Sequence, residues 1–345
     1  MDPRMLNTPS NKQARTGFTL VELLVVVAVI ALLMGLLLPA LSKARAAGFQ
    51  AKGLSTQKQL VLGLISYGNS ADFAIPGINT SGRRLETIAS SDATRLDKSG
   101  SIATQSFDWM TAALAEDTNL PVTRSERLAY LLREYSDPAQ RETFAASLLD
   151  NGNTGTPTVN EVADRSGGIP APSYLMPGVW QLNGGITAVP SDQRSPFGQT
   201  TQQKAVCEIP TGYQPRIDKV GQGATKIALA DGHVDTVTVD SPVRLDVGAW
   251  RPVDDQKWGA FASEGPIRKD SLAYGEDAKN SRLSYRHNNR MNVVYWDGHG
   301  EALAQDASRN PNFWYPTGSS FKNSNAHSTS ASFFSSNQTF PAKIN

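Results

Sequence analysis

Four histidines, a single cysteine and scattered aspartates are the residues of this chain with the chemistry to hold a metal or move a proton. In RHNNRMNVVYWDG, His287 stands nine residues ahead of Asp297-Gly298, and the pair could be metal ligands, a catalytic dyad or a structural tether. The residues between them read as a strand, which sets His287 and Asp297 near its opposite ends unless the chain folds back. On that spacing Asp297 serves the turn that Gly298 completes, and His287 pins the start of the strand. Asp231, Asp235, Asp240, Asp297 and Glu301 place oxygen donors around two turns, with Asp231 and Asp297 as the pair a hard cation would use. Calcium takes six to eight oxygens, no EF-hand loop spacing occurs, and aspartate is common in turns. Cys207 has no partner in the chain for a disulfide. No paired-histidine zinc spacing, nucleophile elbow, phosphate loop or dinucleotide fingerprint is present, so the chain does not read as an enzyme. Trp250, Trp258, Trp296, Trp314 and Tyr315 could form a carbohydrate- or partner-binding surface, although packing in a core or loop is the simpler reading.

Composition narrows the partners little. The 345 residues carry 33 Lys and Arg against 32 Asp and Glu, so no nucleic acid or strongly charged partner is implied. With 28 Gly, 20 Pro and 19% charged residues, turns and loops are expected to outweigh helical bundles.

The segment TGFTLVELLVVVAVIALLMGLLLPALSKAR, residues 16–45, is more informative. Leu23 to Leu41 is an apolar run about long enough to span a bilayer. Glu22 is the only charge between Phe18 and Ser42, and a charge at the bilayer centre costs roughly 2.5–3.5 kcal/mol on insertion scales. Beyond the run, Leu41, Ala44, Ala47, Ala51, Leu54, Val61, Leu62 and Ile65 recur at helical spacing, broken only by Lys58. One helix over 18–67 is expected, about 75 Å long at 1.5 Å per residue. It would be transmembrane to about residue 40, then amphipathic, with Pro39 at the junction able to kink it.

Gly17-Phe18-Thr19-Leu20-Val21-Glu22, the apolar run and Pro39 together resemble the N-terminus of type IV pilins and of the pseudopilins of type II secretion systems. The resemblance covers about residues 12–67. It implies a leader of residues 1–17, cut after Gly17 by a prepilin peptidase that also methylates the new amine of Phe18. It implies assembly through the apolar helix, with Glu22 pairing with a neighbouring subunit's amine and Pro39 as the helix-bending proline. The implied partners are prepilin peptidase, other pilin or pseudopilin subunits and the inner membrane, with the headgroup in the periplasm or on the cell surface. His287 with Asp297-Gly298 is similar to the C-terminal pattern of a prepilin-type group abundant in planctomycete-like bacteria. Some secretion pseudopilins bind calcium near the C-terminal part of their sheet, which makes calcium the cation to consider at Asp231 and Asp297. The alternative is a membrane-anchored adhesin or polymer-binding protein that uses the leader for display.

The remainder, 68–345, is expected to be one headgroup. Residues 69–105 read as a loose connection, followed by three helix candidates: FDWMTAALAED, RSERLAYLLREY capped by Thr123, and SDPAQRETFAASLLDNG capped by Asp137. Strand signals then come from PSYLMPGVWQLN, KIALADGHVDTVTVD and NVVYWDGHGEAL, and the Asp-Gly in each of the last two marks a hairpin. The Ser/Asn-rich C-terminal tail reads as irregular, with its phenylalanines lying on the sheet. The fold class is α+β: a long pilin-like N-terminal helix packed on an antiparallel β-sheet headgroup with helical and loop insertions.

Overall fold

The computed structural model describes residues 19–76, 104, 108–114, 120–140, 143–144, 159–181, 184, 206–233, 261–263, 265–269, 274, 282, 284–323, 325–334 and 339–345. The chain divides into two compact units, Met1–Ala47 and Gly48–Asn345, and one helix, α1 (Leu20–Ser70), contributes to both. In the first unit every described residue from Thr19 to Ala47 is exposed, and Pro39 lies inside the helix. Its apolar side chains range from Ile30 at 44% to Leu20 at 80% exposed. Among the described residues, α1 is the one helix long and apolar enough to cross a membrane.

The second unit is built on a five-stranded sheet. Its members are β3 (Tyr174–Pro177), β5 (Ile227–Asp231), β6 (Ala262–Ser263), β7 (Arg290–Tyr295) and β8 (Gly300–Ala304), in the order β6-β3-β5-β7-β8. All pairs are antiparallel except β3 with β6. Smaller sheets pair β1 (Thr143–Phe144) with β2 (Ile169–Pro170), and β4 (Cys207–Glu208) with β9 (Ser320–Phe321) and β10 (Ala342–Lys343). The inner strands β3, β5 and β7 are buried on both faces, apart from Arg290 at the start of β7, which is why residues 227–230 and 293–295 read as apolar runs. In the edge strand β8 only Leu303 is buried. Tyr174, Met176, Leu229, Val294 and Trp296 share a core with Leu60, Val61 and Leu64 of α1, with α2 (Met110–Leu114) and with α3 (Arg124–Glu134). Leu175, Ile227, Ala230, Met291, Val293 and Tyr295 pack in a second core with Trp314 and Phe321. A register shift between Ile227 and Leu229 puts Ala228 and Leu229 on the same side and breaks strict alternation.

Several expectations need correction. The helix continues to Ser70, because Gly68 serves close packing rather than termination: a Cβ there would lie 2.6 Å from Ile217 Cδ1. The buried face of α1 is Gly53, Thr56, Gln57, Leu60, Val61, Gly63, Leu64 and Gly68, which shares Val61 with the expected stripe, while Leu54 and Ile65 of that stripe are half-buried against the core. Leu62, placed on that stripe, is 58% exposed. Thr123 precedes α3 without capping it; its hydroxyl donates to Glu126 Oε2 at 2.5 Å. The helix expected from Asp137 does not start there, since residues 137–140 form a turn and Thr143-Phe144 form β1. The tail is not wholly irregular: it adds the short strands β9 and β10, and Phe321 stacks on Phe334 at 4.9 Å. Of the expected connection 69–105, only 69–76 and Thr104 fall within the described residues.

Lys226 ties the tail to the sheet. Its side chain is fully buried, and Nζ donates to the carbonyl oxygens of Asn312, at 2.8 Å, and Asn345. Burial pushes this ammonium down from 10.5 to about 8.

Two outcomes follow. At Gly63 an added Cβ would lie 2.1 Å from the backbone oxygen of Ala113, whereas at Gly35 nothing lies within 4 Å. Gly63→Ala should therefore destabilise the headgroup by about 1–3 kcal/mol in denaturant titration, as forced overpacking does, and Gly35→Ala should leave it unchanged. Because the folded state binds the Lys226 proton less tightly than the unfolded chain, stability should rise as pH increases from about 8 to 10.5. Lys226→Met should flatten that rise in urea midpoints measured across this range.

Candidate functional site

At the start of α1, Thr19 and Glu22 form a reciprocal cap. Glu22 Oε2 accepts from the Thr19 backbone N–H at 2.9 Å and from its hydroxyl at 2.8 Å, while Thr19 Oγ1 accepts from the Glu22 N–H at 3.2 Å. This is a capping box, and T-x-x-E at 19–22 is its sequence signature. The signature is present in the sequence but was masked there by the more conspicuous oddity of a carboxylate in an apolar run. Glu22 is thus held at the helix terminus, where its charge also opposes the positive end of the helix dipole. Gly17 and Phe18 lie outside the described residues.

The second site is inside the headgroup, beneath Gly53 and Gln57 of α1. His287 Nε2 lies 3.0 Å from Asp137 Oδ2 and 3.5 Å from Asp231 Oδ2, and all three residues are buried. Asp231 ends β5 on the face that α1 covers, and its carboxylate accepts from Gln57 Nε2 at 2.7 Å and from the Asn292 backbone N–H at 2.7 Å. Asp137 is fixed by its own backbone: its N–H donates to Ser173 Oγ at 2.7 Å, and its Oδ1 accepts from the Ala139 N–H at 2.8 Å. Asn292 Nδ2 reaches across to the Gln50 carbonyl at 3.1 Å. Gly53 makes the space, since a Cβ there would sit 2.3 Å from Asp137 Oδ2. Arg286 donates to the carbonyls of Gly232 at 2.6 Å and Ser173 at 3.3 Å. Burial raises the Asp231 carboxyl to about 7; Arg286 opposes that shift and Asp137 adds to it.

His287 is presented by a turn that only hindsight makes legible. Asn288 and Asn289 have φ of 52° and 58°, and His287 and Arg290 exchange backbone bonds of 3.2 and 3.0 Å across them. That is the positive-φ two-residue turn asparagine favours, so the chain folds back just ahead of β7. Asp297 lies at the far end of β7. Its Oδ1 accepts from the His299 N–H at 3.1 Å and sits 2.6 Å from His299 Nδ1, in the exposed hairpin turn that Gly298 completes at φ 87°. The structure therefore does not bring Asp297 to His287 or to Asp231, and the Asp231–Asp297 cation pair is not formed. Asp231-Gly232 makes no such turn; Asp231 is a strand residue, and a Cβ on Gly232 would strike Leu175 Cδ1 at 2.3 Å. Asp235 and Asp240 lie outside the described residues, as do Trp250 and Trp258. Trp296 and Trp314 are core residues, 3% and 1% exposed, which removes them from any aromatic binding face. Asp137 and Gln57 are the members of the buried site that the sequence reading missed, because 150 residues separate Asp137 from His287 and 174 separate Gln57 from Asp231.

Comparison with known proteins bears on the first site alone. No curated protein and no solved structure matches the chain. Residues 12–38 match the prokaryotic N-terminal methylation motif, a span that contains Gly17, Phe18 and Glu22 and stops one residue short of Pro39. The chain carries a prepilin-type leader joined to an apolar helix.

Proposed function

We propose that the protein is a structural subunit of a type IV pilus or a type II secretion pseudopilus. Prepilin peptidase cuts it after Gly17 and methylates the amine of Phe18, and the processed chain enters a polymer through the apolar half of α1. The methylation motif at 12–38 is the observation that carries this reading. Supporting it, the large apolar side chains from Leu20 to Leu41 are exposed among the described residues. Lipid covers such a surface before assembly, and neighbouring helices cover it afterwards. The headgroup is held in the inner membrane by this single span and faces the periplasm or the cell surface.

In this reading Glu22 has two separable duties. Its side chain caps α1 through Thr19, and its charge pairs with the amine of a neighbouring Phe18, setting the register between subunits. An unpaired charge in the apolar phase is costly, so the polymer is favoured when the pair forms.

The duties can be told apart by substitution. Glutamine also closes a capping box, so Glu22→Gln keeps the cap and removes the charge. The mutant should be processed normally yet be strongly depleted from sheared fibres or pseudopili; wild-type levels of incorporation would contradict a register role for the charge. Gly17→Ala should leave an uncut precursor, heavier by the 17-residue leader on intact-mass analysis.

A further inference from the structure

The buried trio under α1 has a feature that hydrogen bonding alone leaves unresolved. Asp137, Asp231 and His287 offer one ligand atom each, and those atoms all lie within 4.8 Å of one another. The two carboxylates are 1% and 0% exposed and share the single imidazole of His287, and buried charge that is incompletely compensated is costly. Gln57 is also fully buried; its Nε2 donates to Asp231, yet among the described residues no donor reaches its Oε1. Asn292, whose N–H holds the same carboxylate, likewise has an Oδ1 that no donor among the described residues reaches. Carboxylates crowded beside donor-less amide oxygens, in a site closed to solvent, form an environment that calls for a cation.

The spacing indicates which kind. Zinc–nitrogen and zinc–oxygen bonds of about 2.0–2.1 Å at tetrahedral angles set neighbouring ligand atoms roughly 3.3 Å apart. The His287 Nε2 distances to Asp137 Oδ2 and Asp231 Oδ2, 3.0 and 3.5 Å, bracket that edge. An imidazole with two carboxylates suits zinc and its first-row neighbours, whereas calcium prefers an all-oxygen shell of six or more. We infer that Asp137, Asp231 and His287 ligate one divalent transition-metal ion of zinc's class. Gln57 supports the site from α1, its Nε2 holding the Asp231 carboxylate at 2.7 Å. The ion is structural, since the site is closed to solvent, and it clamps α1, through Gln57, to β5, to the turn at Asp137 and to the turn ahead of β7.

The test uses the full-length protein, purified in detergent without chelator. Elemental analysis should find about one zinc-class ion per chain, as a closed structural site retains its metal. EDTA should lower the melting temperature, Zn2+ should restore it, and Ca2+ should not. Co2+ added to the stripped protein should give the absorption bands of tetrahedral cobalt. His287→Gln keeps an amide donor toward Asp137 but removes the imidazole, and it should abolish both the ion and the cobalt bands. His299→Gln, at the exposed hairpin, should change neither, and Gln57→Met should weaken zinc binding about tenfold or more, as loss of a supporting contact does. Should His287→Gln fail to fold, the wild-type responses to EDTA and Co2+ still decide. No bound ion together with no thermal response to EDTA or Zn2+ would overturn the assignment, as would a response to Ca2+ alone or full metal retention in His287→Gln.

Discussion

The hydrogen bond from Gln57 to Asp231 joins the long helix to the middle of the sheet, and much of the headgroup is arranged around it. Both residues are fully buried, and the bond is 2.7 Å long. A buried carboxylate is tolerated only where its oxygens are occupied. Asp231 meets that requirement with partners from α1, from β7 and from His287, so the helix, the sheet and the turn at 287–290 are all committed to one geometry. Gly53 follows from the same constraint, since any side chain there would occupy the position of Asp137 Oδ2. So does the course of residues 137–140, whose backbone bonds orient Asp137 toward His287.

Around this polar seat the apolar contacts supply the bulk of the stability. Leu60, Val61 and Leu64 are fully buried on α1, and truncating one buried leucine to alanine costs about 2–5 kcal/mol in general. The headgroup therefore requires the second half of α1 as a core element; a fragment beginning at residue 69 would lack those side chains and Gln57. The first half of the same helix is the opposite case, apolar and exposed throughout. One continuous helix thus answers to two environments, a protein core in its second half and an apolar phase outside the chain in its first.

How much of this was legible in the sequence depended on whether the signal was local. The long helix, its apolar first half and the leader could be read directly, because length, hydropathy and the Gly17-Phe18 to Glu22 spacing are contiguous. The α+β class and the β7–β8 hairpin were legible for the same reason. The buried face of α1 was legible only in part: Leu54, Val61 and Ile65 do meet the core, but Gly53, Gly63, Gly68 and Gln57 create close approach and polar contact, which apolar periodicity cannot register. The two Asp-Gly pairs show the limit most clearly. Gly298 takes φ 87° and turns the chain, while Asp231-Gly232 stays with a buried strand whose aspartate faces α1. Asp137 read as a helix cap because Ser-Asp-Pro is a common helix opening; its true partner is 150 residues away. Glu22 was noticed for its charge, and the capping role shared with Thr19 became visible only with the side-chain geometry.

The central claim, that the working protein begins at Phe18 and not at Met1, is tested most directly by sequencing the N-terminal peptide of the native protein from isolated membranes by tandem mass spectrometry. The account predicts a peptide starting at N-methylated Phe18, with none derived from residues 1–17. A native N-terminus at Met1, or at any residue within the apolar run, would contradict it.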